Sequence, residues 1–171
     1  GGATRRITAD ALGPRTVQRV LVTIGAGAAP PVRGLRPVAA VAPGVAAATG
    51  LSLQQLAAAL VGQLCPAAVV CVDSLCSAEG QRLGRTVQFS DTGLYPAQAD
   101  HTRHLTRDTL GVPVVAAGIP TLMQAQEGAD LVVTPRALDS VIAHGAALLA
   151  CAVNRALQPR LTVQQLCWLT G

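Results

Sequence analysis

Hydrophobic and polar positions along this chain fall into two patterns. Four short runs, "PVAAVAPG" from Pro37, "AAVVCVDS" from Ala67, "VPVVAAGIP" from Val112 and "ADLVVTP" from Ala129, are almost continuously apolar and stop beside turn residues. Runs of that length without alternation suit strands buried on both faces. "RTVQFS", just ahead of Asp91, reads as a further strand. Between these lie helical patterns: "PRTVQRVLVTI" from Pro14, "LSLQQLAAALVGQL" from Leu51, "HTRHLTRDTLG" from His101 and "PRALDSVIAHGAALLACAVNRAL" from Pro135. Strands that alternate with helices need crossover connections, so the pattern predicts an α/β fold, a three-layer sandwich around a mostly parallel sheet.

The punctuation agrees. Thr134-Pro135 supplies an N-cap followed by proline at the first helical position, and Thr49-Gly50-Leu51-Ser52 precedes the pattern that starts at Leu51. The Gly/Pro-rich stretch from Gly25 to Gly34 reads as a surface loop within one domain.

Composition narrows the class. With 171 residues and 50% hydrophobic content the chain is expected to form one domain, 1–171. No run approaches the about 18 apolar residues of a membrane span and no basic-then-apolar leader opens the sequence, so a cytoplasmic protein without a membrane partner is expected. All 13 basic residues are Arg, scattered singly apart from Arg5-Arg6, and with a net charge of +4 they form no basic stripe interleaved with aromatics. Direct nucleic-acid binding is not expected. The five cysteines, Cys65, Cys71, Cys76, Cys151 and Cys167, have no metal-ligand spacing and read as reduced, mostly buried thiols. No cofactor is implied.

Three carboxylates stand where ligands of open sheets bind, outside the carboxyl ends of strands. Asp73 follows "AAVVCV", Asp91 follows "RTVQFS", and Asp10, in "ITADALGP", opens the first helix. Each has a structural reading beside the chemical one. Asp73 and Asp10 are at positions where a helix cap is equally served, and Asp91-Thr92-Gly93 is an Asx-type turn sequence. Read chemically, a set of adjacent carboxylates pushes one pKa up, so that one acid and one base coexist near neutral pH, as hydrolysis requires. His101 and His104, three residues apart on an expected helix, form a weaker metal-pair signal.

Six collinear blocks, "ITADALGP" (7–14), "RPVAAVAPGVAAATG" (36–50), "VVCVDSLCS" (69–77), "TVQFSDTGLYP" (86–96), "TLGVPVVAAGIPT" (109–121) and "VVTPRALDSVI" (132–142), resemble the germination proteases of spore-forming bacteria. The resemblance implies an atypical aspartic endopeptidase that degrades small acid-soluble spore proteins during germination, made as a zymogen and working as a homotetramer in the spore core. It also implies a fold similar to that of hydrogenase maturation proteases. By resemblance the catalytic carboxylate falls on Asp73, with Asp91 and Asp10 as candidate partners. The chain departs from the family at Gln124, which stands where a further Asp is usual, and the resemblance implies that a stretch near 124–130 and an N-terminal pro-segment are expected to be lacking. Two other readings stay open: a non-catalytic relative that binds or assembles, and a metal-assisted maturation peptidase using Asp10, Asp73 and His101 or His104.

Overall fold

The computed structural model of the chain describes residues 8–24, 34–44, 49–95, 104–124 and 132–171. A 3-10 turn at Ala9–Ala11 runs into α1 (Leu12–Val17), followed by α2 (Leu53–Leu64), β1 (Val69–Cys76), a second 3-10 turn (Gly80–Arg82), β2 (Gln88–Ser90), α3 (Arg107–Leu110), β3 (Val114–Gln124), β4 (Val132–Val133), α4 (Leu138–Leu157) and α5 (Val163–Thr170). Three helix starts are fixed by reciprocal side-chain caps: Ser52 with Gln55, Thr106 with Thr109 and Thr162 with Gln165. Each pair satisfies two N–H groups that the first turn leaves unpaired.

The α/β class holds, but the sheet is mixed rather than mostly parallel. β3 lies between β1 and β2; β1 pairs with it in parallel, Val69 to Asp73 opposite Val114 to Gly118. β2 pairs antiparallel, with Gln88 opposite Gly118 and Ser90 opposite Ala116, and β4 is antiparallel to the end of β3. Connection length explains the reversal. Residues 77–87 hold only a 3-10 turn, whereas a parallel return takes about a dozen residues or more, usually with a helix.

Alternation along β3 sends its side chains to two cores. Val114 and Ala116 pack with Cys71, Leu94, Leu105 and Leu110 beneath α2, while Ala117 and Ile119 pack with Leu12, Ile142, Ala146 and Leu149 beneath α1 and α4. Helices therefore cover both faces, the layering expected from the sequence. α4 is the one helix among the described residues long and apolar enough to cross a membrane; Ile142, Ala146, Leu149 and Ala150 on it are buried against the protein, as in a core helix.

Several expected elements differ. The run from Pro37 forms no strand: the Val38 carbonyl accepts the N–H groups of Thr23 and Ile24, and the backbone on either side is held by α4. The Asn154 amide accepts from Leu21 N and donates to the Arg19 carbonyl, both at 2.8 Å, and Gln158 accepts from Arg36 N and donates to the Arg36 carbonyl, both at 2.9 Å. Each primary amide thus substitutes for the neighbouring strand that the segment lacks. The helix expected from Pro14 stops at Val17, and that expected from His101 is reduced to Arg107–Leu110, because Leu105 bridges to Leu94 and Thr106 caps the turn that follows. His104 is therefore not helical, and His101 lies outside the described residues. α4 starts at Leu138 with Ala137 at its N-cap, not at Thr134-Pro135, since the chain is still leaving β4 at Thr134.

Candidate active site

Asp73 is the fifth of the eight residues of β1. It is not at the strand's end, as the sequence suggested, because the ladder with β3 continues to Cys76. It caps no helix either: its Oδ1 accepts the N–H of Ser74 at 2.8 Å. The next side chain points to the opposite face, where the Ser74 hydroxyl donates to the Ala9 carbonyl. That bond ties β1 to the 3-10 turn that carries Asp10.

Asp10 is exposed and makes no capping bond. Its proximity is felt at Asp73. Burial pushes the Asp73 carboxyl above the ordinary carboxylate range, the Ser74 N–H pulls it part of the way back, and the Asp10 charge pushes it up again. Burial removes water from the charged form and a like charge nearby disfavours it further, so both act in favour of the protonated acid. Cys71, two residues earlier on the same face, is pushed up to about 11 by burial and by Asp73, leaving a protonated thiol at neutral pH.

Two glycines hold this part of β1 in place. Gly13, on α1, would bring a Cβ to 2.8 Å from the Val72 carbonyl oxygen. Gly118, opposite Asp73 on β3, would bring one against the Asp73 carbonyl and the Leu75 side chain. A glycine inside a strand marks such close approach.

Asp91 sits elsewhere. It follows β2, whose direction carries it toward the start of β3, three residues beyond the position opposite Gly118. Two strand spacings and three residues of rise put its Cα roughly 14 Å from that of Asp73. It is exposed, and the turn around it is closed by the Ser90 and Thr92 hydroxyls, 2.8 Å apart, rather than by its carboxylate. Gly93 has φ 111° and would drive a Cβ into the Leu105 carbonyl, so this turn requires glycine where the Leu94–Leu105 bridge begins. Gln124 ends β3 opposite Val132. Among the described residues no group of three or more His, Cys, Asp and Glu side chains is placed to hold a metal ion, and His104 makes an edge contact with the Tyr95 ring at 5.0 Å.

The sequence model of the family described as "Germination protease" matches residues 1–127. The chain belongs to the germination protease family. Among curated relatives, the germination protease of Halalkalibacterium halodurans is 38% identical over 81% of this chain and 37% of its own length. That of Oceanobacillus iheyensis is 36% identical over 81% and 38%, and that of Clostridium perfringens 29% identical over 94% and 65%. This chain therefore spans between 37% and 65% of the length of these germination proteases. The Clostridium perfringens alignment covers 211 residues, more than the 171 of this chain, so that relative has internal residues without a counterpart here. Asp10, Asp73 and Asp91 all fall inside the segment matched by the germination protease family.

Proposed function

We propose that this chain is an endopeptidase of spore germination that degrades small acid-soluble spore proteins through a water activated between carboxylates. The observation that carries the reading is the pairing of a half-buried Asp73, held toward its acid form, with the exposed Asp10 whose charge contributes to that shift. In this mechanism the Asp10 carboxylate takes a proton from the attacking water while the Asp73 carboxylic acid donates to the peptide carbonyl, the division of roles that separated pKa values permit. Asp91 is the third candidate, and it reaches the pair only if the substrate extends across β3. We further infer a fold related to the hydrogenase maturation proteases, a homo-oligomer acting in the cytoplasm of the spore core, and a single domain that lacks a stretch near 124–130.

One observation favours a second reading. Gln124 stands where the family resemblance calls for a further Asp, and an amide does not exchange protons as a carboxylate does. On that reading the chain keeps the fold as a module that binds spore proteins without cutting them.

Incubation with a small acid-soluble spore protein decides between the two. Discrete fragments, lost in Asp73→Asn and in Asp10→Asn, support the peptidase with this pair. Fragments that persist in both variants remove the pair from the mechanism, and a bound but uncut substrate establishes the second reading.

A further inference from the structure

The segment that carries Asp10 is held against β1 at two points, one on each side of that residue. Gly13 lies so close to the strand that a Cβ there would come to 2.8 Å from the Val72 carbonyl oxygen, and the neighbouring Leu12 is fully buried in the core shared with α4. At the other end the Ala9 carbonyl accepts the Ser74 hydroxyl. The strand residues that make these two contacts, Val72 and Ser74, are the ones on either side of Asp73. Each aspartate therefore stands one residue, about 3.8 Å of backbone, from a member of the Ser74–Ala9 bond.

Ser74 is bonded toward both members of the pair. Its N–H donates to Asp73 Oδ1 at 2.8 Å, and its hydroxyl donates to the carbonyl just before Asp10. The N–H would be supplied by any residue but proline; the hydroxyl would not. Without it the turn would keep only the packing of α1 on the Gly13 side, and Asp10 is exposed and makes no capping bond that would hold it in place.

Few other charges stand near. β3 and α2, which cover Cys71 and its neighbours, contain no ionisable residue; α1 contributes Arg15 and the 3-10 turn contributes Asp10. Cys71 keeps its proton at neutral pH. Of these groups Asp10 is the one whose charge acts on Asp73, and such an effect weakens as the two move apart.

We propose that Ser74 is a positioning residue for the carboxylate pair: its N–H orients Asp73, and its hydroxyl holds the turn that presents Asp10. The inference rests on the Asp10–Asp73 reading above, yet it concerns where the two groups stand and not whether they cut peptides.

The test is the titration of the Asp73 carboxyl in the intact chain, followed by NMR of isotopically labelled aspartate, with Asp73→Asn identifying the signal. Ser74→Ala keeps the N–H and loses the hydroxyl, so the midpoint is expected to shift down as Asp10 moves away. In Asp10→Asn there is no charge to position, and the same alanine substitution is expected to leave the midpoint unmoved. Ser74→Thr keeps the hydroxyl and is expected to titrate as the parent does. An unchanged midpoint in Ser74→Ala, an equal downward shift with and without the Asp10 charge, or a threonine variant that titrates like the alanine one would overturn the proposal. Cleavage assays read the pair's chemistry separately: if these shifts appear and no peptide is cut, Ser74 keeps its role and the peptidase reading is the one that fails.

Discussion

Burial, and after it the charge of Asp10, raises the proton affinity of Asp73, and the two aspartates are joined through the backbone by the bond from the Ser74 hydroxyl to the Ala9 carbonyl. A carboxyl group more basic in the folded state than in the unfolded chain stabilises the fold while it is protonated. Its contribution is complete below the ordinary aspartate value of about 4 and is lost as pH rises through the raised value of folded Asp73. Asp73→Asn, which has no charge to bury, is therefore expected to be more stable than the parent at pH 7, with the gap closing as the pH falls. Urea unfolding of both proteins at several pH values measures it. A variant that is less stable than the parent at pH 7 would contradict the assigned direction.

Gly118→Ala is expected to lower stability by about 1–3 kcal/mol, the usual penalty for forcing atoms into a filled site. The new methyl meets the Asp73 carbonyl and Leu75, so β1 must shift away from β3. Gly62→Ala is the control. Gly62 lies in α2 with nothing within 4 Å of the added carbon, and replacing a helical glycine by alanine is expected to add about 0.5–1 kcal/mol. Opposite signs in the two unfolding midpoints are the outcome to look for.

The thiols divide by environment. Cys65, Cys76 and Cys167 are exposed, whereas Cys71 is buried and its pKa is pushed up to about 11. In native protein at pH 8, a disulfide reagent is expected to modify the three exposed thiols rapidly and to leave Cys71 unmodified until the protein unfolds. Peptide mapping after a timed quench identifies the sites. Rapid labelling of Cys71 would mean that the core around Val114 and Leu110 opens far more readily than its packing implies.

Thr121 on β3 has a fully buried hydroxyl with no hydrogen-bond partner among the described residues. Valine has nearly the same shape without the oxygen. Thr121→Val is expected to stabilise the protein by about 1–3 kcal/mol, the penalty of leaving such a group unsatisfied. Calorimetry reads the change as a rise in Tm. A fall would show that the hydroxyl finds a partner in solution.

The sequence carried the parts of the fold that depend on local pattern. β1 and β3 were legible as short, almost continuously apolar runs, and α2 and α4 because their apolar residues recur at the helical period. The run at Pro37 has the same composition as a strand, yet its partners are the side-chain amides of Asn154 and Gln158, which no periodicity announces. Sheet direction was misjudged for a related reason: it depends on what residues 77–87 can span, not on the pattern of β2 itself. At the site, Asp10 and Asp73 could be singled out as acids beside expected chain turns. Gly13 and Gly118 could not, since their contribution is an absence of atoms and has meaning only once the neighbouring carbonyl is located.

The two amides of α4 also order the events of folding. Leu21 is fixed by a residue 133 positions later, and Arg36 by one 122 positions later. On the ribosome, Leu21 and Arg36 emerge early and meet these amide partners only when the end of α4 has been made. At about 5–20 residues per second that wait lasts several seconds to nearly half a minute. During it the apolar Val38 and the side chains around Thr23 are open to chaperones, and the finished segment closes only after synthesis has passed α4, by contacts of high sequence separation that form slowly.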